Sequence, residues 1–102
     1  MTAEQVLVLE EAANDLGEGM GFYESRRTGL GFYFFDSILS DIESLYLSAG
    51  VHAVQFGFHR LLSRRFPFAI YYSYDGSVAR VVAILDMRRN PAWTHDQLSR
   101  RK

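Results

Sequence analysis

The feature that most constrains the fold is Asp75-Gly76, an Asp-Gly pair between two runs of alternating apolar residues. Such a pair predicts a tight β-hairpin, because both residues of the turn must accept positive φ angles. With these two residues as the loop, the predicted register pairs Tyr74 with Ser77, Ile70 with Val81, Phe68 with Ala83 and Phe66 with Leu85.

This register gives the hairpin one dry face and one mixed face, since side chains alternate along a strand. The dry face consists of Phe66, Phe68, Ile70, Tyr72, Ala79, Val81, Ala83, Leu85 and Met87. The mixed face consists of Arg65, Ala69, Tyr71, Ser73, Arg80, Val82, Ile84, Asp86 and Arg88. We therefore expect the dry face to pack against the rest of the chain and the arginines to gather at the end away from the turn.

The segments before the hairpin predict one strand, two helices and a further strand. The apolar run 6–9 indicates a short buried strand, and residues 10–27 and 30–47 follow the period of an amphipathic helix. The short connection between these helices predicts an antiparallel helical hairpin. Residues 54–62 alternate loosely and predict a strand that leads into the organising hairpin.

The first helix contains three glycines at alternate positions, Gly17, Gly19 and Gly21. A phosphate-binding loop needs a strand directly before it and a helix directly after it, and here a helical turn already precedes the glycines. We therefore expect close packing of this helix on the sheet or on the second helix.

After the hairpin, Pro91 ends the sheet because proline cannot continue a central strand. Residues 96–102 predict a short basic helix or a frayed tail. The element order predicts a single α+β domain spanning residues 1–102, with the helical hairpin packed on a mostly antiparallel sheet of about four strands.

Composition excludes several classes of function. The chain has no cysteine, which excludes disulfides and thiolate metal sites, and its three histidines show no metal-binding spacing. No apolar run approaches the roughly 20 residues that span a bilayer, and no signal peptide is visible. We therefore expect a cytoplasmic protein that has no membrane association, no metal and no cofactor.

Charge is distributed unevenly along the chain. Residues 1–50 contain nine acidic and two basic side chains, whereas residues 51–102 contain nine basic and three acidic ones. A basic half indicates a phosphate-bearing or acidic partner. Attraction between the two halves across the fold explains the same pattern, and charge alone does not separate these two interpretations.

Four segments in order resemble the RelE/ParE superfamily of bacterial toxins from type II toxin–antitoxin systems, which includes plasmid stabilisation proteins. They are residues 11–16 leading to 22–24, residues 29–31 with 34–35, 41–42 and 45, residues 65–72, and residues 88–93 at the end of the last strand. The resemblance implies the RelE/ParE-like fold and a growth-inhibiting toxin that a cognate acidic antitoxin holds inactive. ParE-like members inhibit DNA gyrase, and RelE-like members cleave mRNA on the ribosome.

The resemblance to the ribonuclease branch is incomplete. Arg60 and Arg88 match two of its basic positions, but Ala69 replaces a hairpin arginine and Trp93 lies where a tyrosine is expected. Phosphoryl transfer depends on positive groups that stabilise developing charge, so the missing arginine argues against cleavage. We therefore predict a ParE-like inhibitor, with a ribosome-dependent mRNA endonuclease as the alternative, and leave open whether the protein is an enzyme.

The candidate site residues are mainly arginines and aromatic residues of the second half. We expect a rim formed by Arg60, Arg64, Arg65, Arg88 and Arg89 to bind the antitoxin or the target, together with Tyr71 and Trp93. In a ribonuclease, the catalytic residues would be Arg60, Arg88 and His95. For each there is a plainer structural interpretation: Arg65 pairs with Asp86 across the strands, and Trp93 closes the edge of the core.

Strand alternation directs the neighbouring Arg88 and Arg89 to opposite faces of the hairpin. Only Arg88 then shares the mixed face with Tyr71, and we expect Arg88 to be the one that reaches the site.

Overall fold

The computed structural model describes residues 1–102 as a layer of helices on a five-stranded sheet. The elements in order are β1 (Gln5–Val8), α1 (Glu10–Arg26), α2 (Leu30–Glu43), α3 (Leu45–Ser48), β2 (Val54–Gln55), β3 (Phe58–Leu62), β4 (Phe68–Tyr74), β5 (Val78–Asp86) and α4 (Pro91–Arg100). The strands lie in the order β1-β5-β4-β3-β2, and only the β1–β5 pair is parallel. The predicted α+β class is confirmed, with five strands instead of about four.

Two element boundaries differ from the sequence prediction. The helix expected over 30–47 is interrupted at Ser44, whose hydroxyl donates to the Asp41 carbonyl at 2.6 Å. Such a bond competes with the helical hydrogen-bond ladder and marks where α2 gives way to the single turn of α3. The strand expected over 54–62 is divided by a tight turn in which Phe56 (φ 55°) and Gly57 (φ 88°) are both left-handed. No helix combines the length and hydrophobicity required to cross a bilayer.

The β4–β5 hairpin exists, but its predicted register is wrong. Tyr74 pairs with Ala79, so the loop consists of Gly76 and Ser77 rather than Asp75 and Gly76. Gly76 has φ 97°, as a turn with glycine at its first central position requires. Asp75 instead accepts hydrogen bonds from the backbone N–H groups of Ser77 and Val78, at 2.9 and 2.7 Å. These bonds lower the pKa of Asp75 to about 2.

A β-bulge changes which side chains share a face. Tyr72 pairs with Val81 but Tyr71 pairs with Ala83, so Val82 is an extra residue in β5. Beyond such a bulge the alternation along the strand is inverted. Ile84 therefore lies on the helix-covered face, and Ala83 and Leu85 lie on the opposite one, which is the reverse of the predicted placement.

Both faces of the sheet are buried. On one face, α1 and α2 cover the larger core, which includes Ala12, Leu16, Phe34, Ile38, Ile42, Phe68, Ile70, Tyr72, Val81 and Ile84. On the other face, α4 covers a smaller core formed by Phe58, Ala69, Tyr71, Val82, Ala83, Leu85 and Leu98. The face predicted to be mixed is thus mostly apolar and covered. The strand predicted as buried, β1, is partly exposed because it lies at the edge of the sheet.

The helix α4 begins five residues earlier than the predicted segment 96–102. Asn90 caps it by accepting a hydrogen bond from the Ala92 N–H at 2.8 Å, and Pro91 occupies the first helical position. An Asn-Pro pair suits this place, because proline has no N–H to leave unpaired and its φ is already helical.

A buried ion pair holds α4 against α1 and the edge of β5. Arg101 Nη2 donates to Asp15 Oδ1 at 3.0 Å, and a second bond joins Nη1 to Oδ2. The same two side chains bind the backbone of β5 where it extends past the end of β1. Arg101 donates to the Val82 carbonyl at 3.2 Å, and Asp15 accepts from the Ile84 N–H at 3.0 Å. Both side chains are nearly buried, at 9% and 12% exposure. The hydrogen bonds to Asp15 raise the pKa of Arg101.

Two glycines of α1 form a matched pair for testing the packing of the helical hairpin. A methyl group at Gly19 would lie 2.6 Å from two ring atoms of Phe34, which is fully buried, whereas one at Gly17 would meet nothing within 4 Å. We expect Gly19→Ala to destabilise the fold by roughly 1–3 kcal/mol through overpacking. Gly17→Ala should stabilise it by about 1 kcal/mol through helix propensity. Urea unfolding measures both, and equal effects of the two substitutions would contradict this packing.

Candidate functional site

A basic cleft opens at the end of the sheet where α4 begins, and we call it the arginine cleft. It has a volume of about 180 Å³ and is lined by Gln55, Phe56, Arg60, Tyr71, Met87, Arg89, Pro91 and Thr94. Arg60 and Tyr71 face each other as register partners on β3 and β4. The β2–β3 turn and the segment after β5 supply the other walls, so three separate parts of the chain build this cleft.

Tyr71 forms the floor of the arginine cleft. It is 3% exposed and packs in the smaller core. Burial raises the pKa of its hydroxyl, and the positive charge of Arg60 opposes this rise. Tyr71 is therefore a neutral hydrogen-bond donor near pH 7, while Arg60 provides fixed positive charge beside it.

Arg89 lies in one wall of the arginine cleft and stacks on Trp93, which is not itself part of the lining. The guanidinium carbon of Arg89 lies 4.0 Å from the centre of the Trp93 ring, a cation–π distance. These two residues are four positions apart across the start of α4, so the Asn-Pro cap brings them together. Trp93 is half-buried against the smaller core, so it both closes the core edge, as the plainer interpretation holds, and orients Arg89.

The prediction that Arg88 shares the face of Tyr71 is wrong. The strand β5 ends at Asp86, so pleat alternation no longer orients the two arginines that follow. Arg88 turns back and binds Asp86 with two charge-assisted hydrogen bonds, at 3.0 Å from Nε and 2.7 Å from Nη2. These bonds lower the pKa of Asp86 and raise that of Arg88. The expected pair between Arg65 and Asp86 is replaced by this one, and Arg89 lines the cleft.

The five arginines do not form one continuous rim. Arg64 and Arg65 line a different cavity beside α2, with Ser37, Ser40 and Asp41. His95 is exposed beside the arginine cleft, with its ring centre 4.9 Å from that of Phe56, and it is absent from the lining. Of the predicted site residues, the structure therefore brings Arg60, Tyr71 and Arg89 together in this cleft, and Trp93 contacts it only through its stacking on Arg89.

A second groove, which we call the edge groove, lies on the other side of the Arg89–Trp93 pair. It has a volume of about 390 Å³ and runs along β5 between α1 and α4. Its lining consists of Asp15, Glu18, Gly19, Phe22, Phe68, Ile84, Leu85, Asp86, Arg89, Trp93, Gln97 and Arg101. Pairing with β1 stops at Val81, so beyond Val81 this edge of β5 has no neighbouring strand, while its other edge still pairs with β4. Arg89 lines both the edge groove and the arginine cleft.

A cluster of the buried Tyr72 and the half-buried His52 and His59 supports the short strand β2. The Tyr72 hydroxyl accepts from the Gly50 N–H at 2.9 Å and donates to His52 Nδ1, and the His59 ring stacks on the Tyr72 ring. Burial is the main cause that lowers the pKa of His52, and His59 adds to it. Burial also raises the pKa of Tyr72, which keeps its hydroxyl as a donor. His59 Nδ1 donates to the His52 carbonyl at 2.7 Å.

Sequence reasoning missed several residues that build the site. Gln55, Phe56 and Thr94 reach the cleft only because of the left-handed Phe56-Gly57 turn and the early start of α4. The Asn-Pro pair is a signal that predicts the latter. No group of three or more His, Asp or Glu side chains is placed to hold a metal ion. The arrangement can therefore bind anionic or hydrogen-bonding groups through Arg60, Arg89 and Tyr71.

Comparison with known proteins supports the fold. No protein-family model and no curated protein matches the chain. Among solved structures, the fold is similar to that of a chain in the "Chromosomal ParDE TA system from P. aeruginosa", with a TM-score of 0.67 and 19% sequence identity. The match covers 81% of this chain and 94% of that one. The ParE-like fold implied by the sequence resemblance is confirmed.

The neutral state of His52 predicts how the stability of the protein depends on pH. Because its pKa in the folded chain is below the ordinary 6.5, the unfolded chain takes up a proton first as the pH falls. The stability contributed by neutral His52 is complete above 6.5, the ordinary pKa that applies to the unfolded chain. It is lost as the pH falls through the lower pKa of the folded chain. In urea unfolding between pH 7.5 and 5.5, we expect His52→Asn to flatten the decline, whereas His95→Asn, at an exposed position, leaves it unchanged. A decline of equal slope in both variants would contradict this role of His52.

Proposed function

We propose that this protein is the toxin of a type II toxin–antitoxin pair and acts as a ParE-like inhibitor. In this proposal it binds a gyrase-type target through the arginine cleft, and a cognate acidic antitoxin neutralises it. The ParE-like fold supports the class. The observation that supports the mode of action is that Arg60 and Arg89 line the same cleft as the buried Tyr71.

The chemistry of the arginine cleft favours binding over catalysis. Its lining contains two guanidinium groups and no carboxylate or imidazole. General acid–base catalysis at neutral pH needs a group whose pKa lies near the working pH, whereas burial moves the pKa of Tyr71 upward, away from it. Arginines and aromatic residues in a half-closed cleft are typical of the anchor positions of protein–protein interfaces.

The edge groove suits an extended segment of an antitoxin. Asp15 and Arg101 already bind the Ile84 N–H and the Val82 carbonyl, so only the part of the β5 edge beyond the Ile84 N–H can accept a short extended segment. Phe22 and Trp93 provide apolar walls for its side chains. An acidic side chain of that segment would meet Arg89, which lines both cavities. Occupation of the edge groove would then engage the arginine that the target also requires, and this explains neutralisation without overlap of the whole surface.

The alternative function is a ribosome-dependent mRNA endonuclease. One observation supports it: His95 lies against Phe56 at the border of the arginine cleft. In that case Arg60 and Arg89 would stabilise the charge that develops on the phosphate, and His95 would be the general acid or base. Arg88 would act only indirectly, because both of its hydrogen bonds go to Asp86.

Induction in growing cells followed by two assays separates these functions. We expect growth arrest, intact transcripts by primer extension, and inhibition of gyrase supercoiling by the purified chain. Arg60→Ala and Arg89→Ala should each weaken inhibition roughly 10- to 100-fold, as the loss of an arginine anchor does. Arg100→Ala is the matched control, because its only ion pair is the exposed one with Asp96 at 3.0 Å.

Codon-phased cleavage of transcripts with normal supercoiling would overturn the inhibitor and favour the endonuclease. Co-expression with the product of the adjacent gene should restore growth and give a complex that protects the amide of Asp86 from exchange, whereas the Ile84 amide is already bonded to Asp15 in the free chain. Growth without arrest, and a neighbouring protein that does not bind, would contradict the assignment as a toxin.

A further inference from the structure

We propose that the polar cavity between α2 and the β3–β4 turn binds a phosphate group. This serine–arginine cavity has a volume of about 300 Å³ and is lined by Ser37, Ser40, Asp41, Arg64 and Arg65, with no apolar residue. It lies apart from the arginine cleft and shares no lining residue with it. The inference is therefore independent of the proposed toxin function.

The two arginines of this cavity differ from most others in the chain because their guanidinium groups have no partner. Five ion pairs involve Arg80, Arg88, Arg100 and Arg101, while Arg26 and Arg89 lie over aromatic rings. Arg64 and Arg65 take part in neither kind of contact, although a carboxylate shares their cavity. Two adjacent planar guanidinium forks suit the oxygens of a phosphate, which can accept paired hydrogen bonds.

Asp41 anchors the turn that carries these arginines. It is 5% exposed, and its Oδ2 accepts from the Ser63 hydroxyl at 2.8 Å and from the Arg64 N–H at 3.4 Å. The Ser63 N–H in turn donates to the Phe68 carbonyl at 2.9 Å, which ties the turn to β4. The carboxylate thus fixes the backbone of Arg64 without taking its guanidinium. With two cations and one anion, the lining keeps a net positive charge.

Hydroxyl groups of α2 complete the lining. Ser37 is 4% exposed, and its hydroxyl has no hydrogen-bond partner in the protein. Buried polar groups without a partner are rare and need an explanation, because the hydrogen bond to water that is lost on burial has not been replaced. Its oxygen is closed to solvent in this rotamer, and rotation of the side chain toward the cavity that Ser37 lines would give it a phosphate oxygen as the missing acceptor. Ser40, one turn along the helix, offers a second donor.

The size and polarity of the cavity define the ligand class. Its volume is at the lower end of small-molecule sites, and it has no apolar wall on which a base or an acyl chain could pack. The recognised group is therefore the phosphate itself, either free or as a terminal monoester of a small molecule. A nucleic-acid backbone offers phosphate diesters along an extended strand and needs a longer positive track than one closed cavity.

Amide chemical shifts of the ¹⁵N-labelled full chain test this proposal. We expect inorganic phosphate, added at constant ionic strength, to give saturable shifts at Ser37, Ser40, Arg64 and Arg65, while chloride gives none. Glycerol 3-phosphate is the monoester probe, and tighter binding of it than of phosphate would identify an esterified ligand. A dinucleotide with a single internal phosphodiester should bind at least about tenfold more weakly, since it lacks the terminal oxygens.

Three variants and one control make the result specific. Arg64→Ala and Arg65→Ala should each weaken phosphate binding at least about tenfold, as the loss of a charge-assisted pair of hydrogen bonds does. Arg65→Lys should retain only part of the phosphate affinity, because an ammonium group lacks the two parallel N–H donors of a guanidinium group. Arg27→Ala, at another exposed arginine, is the control and should bind as the unaltered chain does.

All of these positions are exposed, so the variants are expected to fold, and thermal melting checks that they do. Shifts that do not saturate, that chloride reproduces, or that Arg27→Ala reduces equally would overturn the proposal. Tighter binding of the dinucleotide than of phosphate and glycerol 3-phosphate would also overturn it and would indicate a nucleic-acid surface.

Discussion

The hydrogen-bonded ion pair between Asp15 and Arg101 is the interaction on which the rest of this architecture depends. It joins the first helix to the residue that follows the last one, across 86 positions of sequence. It also satisfies backbone groups of Val82 and Ile84 at the edge of β5, where β1 has stopped. Removing one partner of a buried pair leaves an uncompensated charge and typically costs about 3–5 kcal/mol.

This pair determines what the second face of the sheet can become. With α4 held across it, Leu98 and Trp93 complete a small core over Tyr71, and Arg89 stands at its border. Without α4, Tyr71 and its apolar neighbours would be exposed and the arginine cleft would lose a wall. The same segment that stabilises the fold thus creates the arginine cleft and separates it from the edge groove. The stability of the fold and the shape of the arginine cleft are therefore coupled through α4.

The sequence predicts local structure well and long-range geometry less well. Helical periodicity gives α1 and α2, and the Asp75-Gly76 pair locates the hairpin, since these signals act between near neighbours. The predicted register is wrong because the Asp75 carboxylate accepts hydrogen bonds from the N–H groups of Ser77 and Val78, which leaves Gly76 and Ser77 as the loop. The bulge at Val82 has no local signal, because backbone hydrogen bonds to Asp15 and Arg101 stabilise it from distant positions.

For the candidate site, residue type was easier to predict than position. An arginine-rich surface at the far end of the hairpin follows from the sequence, but the choice between Arg88 and Arg89 depends on where β5 ends. Arg64 and Arg65 are separated from Arg60 because the β3–β4 turn carries them to the side of α2. Sequence spacing alone does not give the direction in which a turn points its side chains.

Amide hydrogen exchange at Ile84 tests most directly whether the Asp15–Arg101 pair organises this end of the molecule. The Ile84 N–H points away from β4, toward the edge of β5 that has no strand beside it, so its protection depends on Asp15. We predict that its amide exchanges slowly in the unaltered chain, and that in Arg101→Met it exchanges faster together with the amides of α4. Rapid exchange of Ile84 in the unaltered chain, or unchanged protection of α4 in the variant, would contradict the account.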